Sequence, residues 1–596
     1  MNCPCHGDIL LVGEGDFSFS VAYQRHFVQC DIVSTSYESE ETITKHKQAE
    51  KNVNHLRNTG VLVLYNVDGR CLQANPVIGS RRFSRIIFNF PHIGGKSNIK
   101  KNRLLLKEFF CSAVTVLAED GEIIVSLCKG QGGTPLDQPM REWHDTWQVV
   151  AMATYAGLIL RKAEMFHAED YPEYSSTGFR SQDKSFHHEG AVVHVFSRPA
   201  IDMTRLQQSK TCVPFCANGE CGDYIKLKVA RKVLKEEGHP IYDAYIRLLH
   251  QLQRQHQEVS IFPLESADNM LVKYDTNSIK SCHYTAYDCT LPGYSMGSDD
   301  LTTQQVDTGE KSPGGVPVSC SLSKEKNELQ GQTSVIRSNL LEHLFNIVSS
   351  EKPGVVNVIS GTVCHRTPIA ECRLPVGHQT LIACDRTGVL DVKCIIQNLC
   401  GDSISNIIVE KYDSNCTICT CMLAHFDTTE SVTVILLTAG GTTSVVSCIG
   451  TVTVEDRTLE VAVIELDILA VFLFSLPDRR LLWSLDKGIY SLVHDGKELS
   501  LYPPVYCHDM SFWEKIDCDF EQIELDMHDI IRGIAGDLIK SVYLKDEYQC
   551  VETGHRSRCY RMVFQSCDQP LSYHQSHNLQ KNIRLRVSEL LGVTLR

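Results

Sequence analysis

A run of short, β-branched segments separated by helix-like stretches constrains the first third of this chain more than any other feature. Ile9–Val12, Ile32–Ser34, Val61–Tyr65, Ile86–Phe90 and Ile123–Leu127 are apolar without strict alternation, the pattern of strands buried on both faces. Between them, Ile43–Arg57 and Asn102–Leu117 read as helices. Strands of this kind alternating with helices make a mostly parallel sheet covered on both sides, so residues 1–200 are expected to form one α/β domain.

A chain of 596 residues is too long for a single hydrophobic core. The stretch 201–281 reads as a helical connection, with helices expected over Asp223–Glu237 and Ile241–His256. Residues 282–337 are rich in Ser, Gly, Thr and charge, which predicts a flexible linker. From 338 to 500 the pattern turns to strands, as in VVNVISGTV, SVTVILLTA and TVTVEDRTLEVAVIEL. The last unit, 501–596, reads β-α-β-β-α-β: a segment Val505–Phe512, a helix Met527–Ile539, strands Ser541–Tyr548 and Arg558–Gln565, and a helix Ser576–Leu591 before a short tail. That order is the ferredoxin-like split motif.

The net charge of −14 argues against a protein that coats nucleic acid over its whole surface but leaves room for a local basic groove. Met1–Asp8 lacks the basic and apolar regions of a secretory signal, and the most apolar stretch, 461–474, is interrupted by Glu465 and Asp467 and too short to span a bilayer. No membrane association is expected, and a cytoplasmic location, with the nucleolus as a second possibility, is the expectation. The 26 cysteines are scattered. Cys3, Cys5 and His6, then Cys212, Cys216 and Cys221, then Cys416, Cys419 and Cys421 form local groups, but none has two cleanly spaced CxxC knuckles, and no metal is expected.

The chemistry concentrates at strand ends of the first domain. Ile9–Val12 runs into Gly13, Glu14, Gly15 and Asp16; glycines there permit a tight turn and close approach to a ligand. No phosphate-binding Lys follows, and the acids would repel a pyrophosphate while suiting the cationic amino-acid end of S-adenosylmethionine. Glu38 follows the second strand, where an acid can accept ribose hydroxyls, and Asp68 follows the third, where it could accept the adenine amino group. After the fourth come Asn89, Phe90, Pro91 and His92, then Gly94 and Gly95, able to hold a planar base. Each signal alone has a plainer reading: Gly-x-Gly as a tight turn, an acid after a strand as a cap, Asn89–His92 as a rigid turn.

Residues 8–198 resemble the eukaryotic ribosomal RNA uridine-N3 methyltransferase family through ILLVGEGDFSFS (9–20), TSYESE (35–40), NVDGR (66–70), RIIFNFPHIGG (85–95), NRLLLKEFF (102–110), GEIIVSLCKGQ (121–131) and YPEYSSTGF (171–179). The resemblance implies a Rossmann-like class I methyltransferase fold, S-adenosylmethionine as donor and RNA as acceptor. It implies a donor site of Gly13, Glu14, Gly15, Glu38 and Asp68, and an acceptor site of Asn89, Pro91 and His92. Two positions depart from the family: Glu38 stands where Asp is common, and Gly69-Arg70 where Ala-Thr is frequent. Uracil N3 carries a proton at neutral pH, and His92 is the nearby side chain with a suitable ordinary pKa to take it; the alternative is that His92 only positions the base or supports the turn.

The end unit resembles the ferredoxin-fold anticodon-binding domain of phenylalanyl-tRNA synthetases through YPPVYCHDMSFW (502–513), VYLKDEYQ (542–549), GHRSRCYRMVFQSCDQPLS (554–572) and Leu595-Arg596. That resemblance implies contact with tRNA, with Arg556, Arg558, Arg561, Lys581, Arg584 and Arg586 as phosphate contacts and Tyr506, Phe512 and Tyr560 either stacking on bases or forming core. SLPDRRLLWSLDKGIYSL (475–492) is similar to the end of the synthetase catalytic module. The preceding VAVIELDILAVFLF lacks the Arg and glycines of an ATP site and offers Glu465 and Asp467 instead, so the middle reads as a degenerate synthetase-like scaffold. The readings in play are an RNA base methyltransferase acting on rRNA or tRNA, a non-catalytic RNA-binding protein on the same fold, and, least supported, an active synthetase. DNA is not expected as a partner, and the sequence leaves protein partners open.

Overall fold

The computed structural model describes residues 7–27, 30–45, 48–93, 98–175, 188–199, 224, 228, 231–262, 354–364, 368–371, 374–385, 390–412, 432–439, 442–454, 457–484, 502–514 and 520–596. The expected linker 282–337, the three cysteine groups and Gly94-Gly95 lie outside the described residues.

The first unit is a seven-stranded sheet in the order β3-β2-β1-β4-β5-β7-β6. Its strands are β1 Asp8–Val12, β2 Ile32–Thr35, β3 Leu62–Leu64, β4 Phe83–Asn89, β5 Leu117–Leu127, β6 Ile159–Met165 and β7 Val192–Ser197. The first five pair in parallel, and β7 inserts antiparallel between β5 and β6. This is the Rossmann-like arrangement of a class I methyltransferase domain. The non-alternating apolar runs have their expected cause. Ile9 and Leu11 of β1 pack with Phe17, Phe19, Val53 and Leu56 on one face, and Leu10 and Val12 with Leu106, Phe109 and Phe110 on the other. The strand order reverses between β1 and β4, and a crevice opens at such a switch point above the carboxyl ends of the strands.

The middle sheet runs β11-β12-β13-β14-β10-β9-β8, from β8 Val259–Ile261, β9 Val356–Cys364, β10 Val376–Cys384, β11 Asn406–Tyr412, β12 Val432–Ala439, β13 Thr442–Val454 and β14 Arg457–Glu465. It is antiparallel except for the β8–β9 pair. Helices Pro240–Gln255, Val392–Cys400 and Leu466–Leu473 share its core. The helix expected over Asp223–Glu237 does not reach its predicted end: residues 231–232 form a turn and Val233–Lys235 a 3₁₀ turn.

Asp467 has a structural place in this unit: it is fully buried, and its Oδ2 accepts the backbone N–H of His378 at 2.5 Å with the His378 ring 3.3 Å away. Burial pushes its carboxyl up, but His378 and Arg479 outweigh that and hold it below the ordinary value. Glu465 likewise bonds the Gln379 side chain. These acids tie strand β10 to the β14 end of the sheet.

The last unit has β15 Tyr506–Trp513, β16 Ile539–Gln549, β17 Arg556–Phe564 and β18 Thr594–Leu595 in the order β16-β17-β15-β18, all antiparallel. Two helices, Phe520–Ala535 and Tyr573–Leu591, complete the ferredoxin-like order. The first starts and ends earlier than the expected Met527–Ile539, because Gly536 takes a positive φ of 55° and Ile539 already belongs to β16. The second opens on a capping box between Ser572 and Gln575 and stops at left-handed Gly592.

This unit is tied to both others. The Arg480 guanidinium donates to the carbonyls of Asp537 (2.8 Å) and Gln565 (2.5 Å), and buried Lys228 meets Asp537 at 2.8 Å. Tyr502 packs on the core of the first domain.

A buried N–H left without its acceptor typically costs about 1–3 kcal/mol. Asp467→Ala, which strips the acceptor from the His378 N–H, is therefore expected to lower the unfolding free energy of the middle unit by an amount of that order. Thermal unfolding followed by tryptophan fluorescence should show the loss through Trp483, which packs 5.6 Å from His378.

Candidate donor and RNA sites

The loop after β1 is fixed by its own side chains. Gly13 has φ +72°, and a Cβ there would sit 2.5 Å from the Phe88 ring; glycine is required by the packing as well as by any ligand above it. The Glu14 N–H donates to the Thr35 carbonyl at 2.8 Å, joining the ends of β1 and β2. Glu14 Oε2 accepts from the Ser20 backbone N–H (3.1 Å) and hydroxyl (2.7 Å), so the carboxyl caps the first turn of helix Ser18–His26. Burial pushes this carboxyl up to about 7, overcoming the two Ser20 hydrogen bonds, with Asp16 adding repulsion. Asp16 in turn accepts from Ser18 N–H and Oγ. Gly15 is half-buried between them.

The remaining residues expected of the donor site follow in order across the sheet. Glu38 is exposed beyond β2, its carbonyl accepting the Asn66 N–H at 3.1 Å. Asp68, beyond β3, caps the 3₁₀ turn Gly69–Ala74 and accepts Arg70 N–H at 2.9 Å. It is also bidentate with the Arg70 guanidinium, at 2.7 Å and 3.0 Å. The side chain of Arg70 holds the Asp68 carboxyl below its ordinary value.

At the acceptor end, Asn89 Oδ1 accepts from Ser126 Oγ at 2.7 Å, while its buried Nδ2 has no hydrogen-bond partner among the described residues. Phe90 has φ +49° and is buried, a strained turn of the kind that collects at functional sites. Pro91 is buried, and half-buried His92 lies 6.1 Å from the Trp147 ring.

Sequence reasoning quoted 171–179 without assigning any of it a role. Tyr174 lies parallel to Phe90 (6.4 Å, 13°) and edge-on to Phe19 (5.3 Å). Its hydroxyl is pushed well above its ordinary value by burial and by the charges of Glu14 and Asp16. The Ser175 N–H donates to Ser18 Oγ at 2.9 Å. Residues 171–175 thus close one wall over the glycine loop and the Asn89–His92 turn, bringing the two halves of the expected site together.

In the last unit Tyr506, Phe512 and Tyr560 are at most 2% exposed and belong to the core; they are not available to stack on bases. The six basic residues do not form one patch. Arg561 stands on the open sheet face, bidentate with Asp509 at 2.8 and 3.0 Å. Arg558 is paired with Glu514 and Glu547. Lys581, Arg584 and Arg586 ride on the helix that covers the opposite face, Arg586 paired with Glu589; Arg556 is exposed at the start of β17. What the open face does offer is a cluster the sequence reading left unassigned. Arg596 lies 5.4 Å over Trp513 and 4.8 Å over Tyr548, rings that meet edge-on at 6.0 Å, and Tyr543 is 47% exposed on the same face. The register Trp513↔Ser557↔Tyr548 makes them neighbours in one row, invisible without the strand pairing.

Fold and site together define a methyltransferase-class domain joined through a β-rich unit to an anticodon-binding ferredoxin fold. Residues 10–178 match the family described as rRNA (uridine-N3-)-methyltransferase BTM5-like, and residues 500–596 match the ferredoxin-fold anticodon binding domain. Ferredoxin-fold anticodon-binding domain-containing protein 1 of Homo sapiens is 30% identical over 643 aligned positions, 98% of this chain and 99% of the human protein. Its Mus musculus homolog is 30% identical over 636, covering 99% of each. The chain belongs to the family of ferredoxin-fold anticodon-binding domain-containing protein 1. The chloroplastic/mitochondrial phenylalanine–tRNA ligase of Arabidopsis thaliana is 39% identical over 137 positions, 22% of this chain and 31% of that enzyme. Among the described residues no group of three His, Cys, Asp or Glu could hold a metal, and no helix is long and apolar enough to cross a membrane.

The Glu14 carboxyl gives a pH test. Its folded pKa of about 7 exceeds the ordinary 4.5, so between those values the folded state holds more protons than the unfolded one. Stability should therefore fall as pH rises from 4.5 to 7 and stay lowered above it. Glu14→Gln removes that cost, so the variant should gain on the order of 2 kcal/mol over wild type at pH 8 and little at pH 4.5. Parallel melts across that range check it.

Proposed function

We propose that this chain is an S-adenosylmethionine-dependent RNA base methyltransferase, directed at uridine N3, whose ferredoxin-fold unit holds the RNA. The observation that carries this reading is positional. Glu14, Glu38, Asp68 and Asn89 stand immediately beyond the carboxyl ends of four adjacent parallel strands, around the β1–β4 switch point. That is where open α/β sheets bind ligands. Glu14 would face the cationic amino-acid end of the donor, Glu38 the ribose hydroxyls and Asp68 the adenine edge. The donor supplies an electrophilic methyl group. The Asn89–His92 turn would hold the base in the plane of attack, with Tyr174 excluding water from above, so that most of the rate comes from placement. An Nδ2 donor at Asn89 suits a carbonyl-bearing base such as uracil, and His92 would take the N3 proton.

Ribosomal RNA is the substrate suggested by the match of residues 10–178, and tRNA the one suggested by the match of residues 500–596. Trp513, Tyr548 and Arg596 form the better base-stacking surface, since exposed aromatics with an overlying cation favour single-stranded RNA. One observation favours a non-catalytic RNA-binding protein instead: the Asp68 carboxylate is already engaged by Arg70.

Transfer of labelled methyl from S-adenosylmethionine to size-fractionated cellular RNA tests the reading, with Glu38→Ala as the donor-site control. Gly13 is a poor control, because a side chain there strains the fold through Phe88. Label in RNA that is lost in Glu38→Ala supports the proposal; no label, with no donor bound, sinks it in favour of the binding protein. His92→Ala should cut the transfer rate at least about 100-fold with donor affinity unchanged if it is the base. Trp513→Ala should weaken RNA binding by about 1–3 kcal/mol in a filter-binding titration.

A further inference from the structure

Arg70 is the residue of the donor pocket that the proposed reading does not use, and it occupies the group that reading needs most. Both Asp68 carboxylate oxygens accept from its guanidinium: Nε reaches them at 3.0 and 3.1 Å and Nη2 at 2.7 Å, while the Arg70 backbone N–H adds a fourth bond at 2.9 Å. Nε carries one hydrogen shared between the two oxygens, so three N–H groups converge on a carboxylate that has about four in-plane acceptor positions, and at most one is left for a ligand. The pair is nonetheless accessible, with the Asp68 and Arg70 side chains 32% and 36% exposed. Beyond Asp68, the nearest acid to Arg70 is Glu108, 3.7 Å from its Nη1. Gly69 fixes the spacing, since a Cβ there would press on Val12 at 3.1 Å and reach Phe88 at 3.7 Å. The turn therefore lies against the same ring that lies under Gly13.

We propose that Arg70 is a specificity-determining residue of the donor pocket: by occupying Asp68 it competes with the adenine amino group, so that the pocket binds the nucleoside weakly and distinguishes adenine poorly from a 6-oxopurine. This rests on the donor-site reading above. An amino group at purine C6 needs an acceptor, and in this chain it must compete with an arginine for one. A 6-oxo group needs a donor, which the guanidinium supplies. With Arg70 removed, Asp68 becomes a free acceptor and the preference for adenine is restored. The arginine thus lowers affinity for the donor and for its demethylated product alike, which favours release of product after transfer.

The test is calorimetric titration of the full chain with S-adenosylhomocysteine and with its deaminated analogue, S-inosylhomocysteine, in wild type, Arg70→Ala, Asp68→Asn and the double variant. Arg70→Ala is expected to tighten S-adenosylhomocysteine about three- to tenfold, the worth of freeing one partly exposed charge-assisted hydrogen bond. It should leave the inosyl compound unchanged or weaker. In the Asp68→Asn background, removing Arg70 should bring no gain. Equal tightening of both ligands, no tightening, or weaker binding of the adenosyl compound by Arg70→Ala would each overturn the proposal while leaving donor binding itself intact. Absence of binding in wild type and Arg70→Ala alike would overturn the donor-site reading and this proposal with it. An unchanged melting temperature in Arg70→Ala shows that a changed affinity is not a folding defect.

Discussion

The ring of Phe88 is the constraint around which the first domain arranges itself. It projects from β4 at the point where strand order reverses, and the loop after β1 can pass over it only as glycine. Gly13 turns over it with a positive φ, and Gly69 lies within contact distance of it after β3. The two loops that would cradle the ends of a nucleoside are thus held at a fixed separation by one apolar side chain, buried at 9% exposure. Glu14 and Asp68 are placed by those turns rather than by their own preferences, which is why one carboxyl is held where its pKa climbs to about 7 and the other beside an arginine two residues on. Preorganisation of this kind is what a group-transfer site needs, since placement of the reactants supplies much of the rate.

Much of this architecture is legible in the sequence because it follows from short-range rules. Non-alternating apolar runs gave the parallel strands, and the β-α-β-β-α-β order gave the last domain. The positions after strands β1 to β4 were marked because ligand sites collect there. What could not be read was set by contacts distant in sequence. For Tyr506, Phe512 and Tyr560 the sequence leaves base stacking and core both open, and the register decides for core by putting them on the covered side of the sheet, whereas Trp513, one residue on, faces outward. Asp467 stands out in the sequence only as an acid that spoils an ATP site; its partner is His378, which β10 returns to it across 89 residues of chain. Tyr174 joins the site because Ser175 bonds Ser18, 157 residues away. Arg70 was noticed only as a departure from a motif; that it closes on Asp68 is a matter of side-chain geometry.

The three units do not sit as beads on a string. The ferredoxin-like unit receives Arg480 and Lys228 from the chain before it, and Tyr502 extends onto the core of the first domain. The Tyr506 hydroxyl stands near Tyr155 and Thr154 of that domain. With the β-rich middle, where Glu465 and Asp467 are engaged by residues of β10, these contacts hold the ferredoxin-like sheet and the methyltransferase-class sheet in one framework. A single RNA engaging both would be positioned by this framework rather than by a flexible tether, which limits the lengths and shapes it can have.

Hydrogen exchange measured with and without S-adenosylhomocysteine tests the central claim most directly, because it reports where a donor-like molecule sits without requiring turnover or a known RNA. The account predicts ligand-dependent protection confined to residues 13–20, 36–40, 66–70 and 89–92, with the adjoining wall at 171–175 slowed as well. Protection elsewhere in the chain, or none at saturating ligand, would contradict a donor site at the β1–β4 switch point.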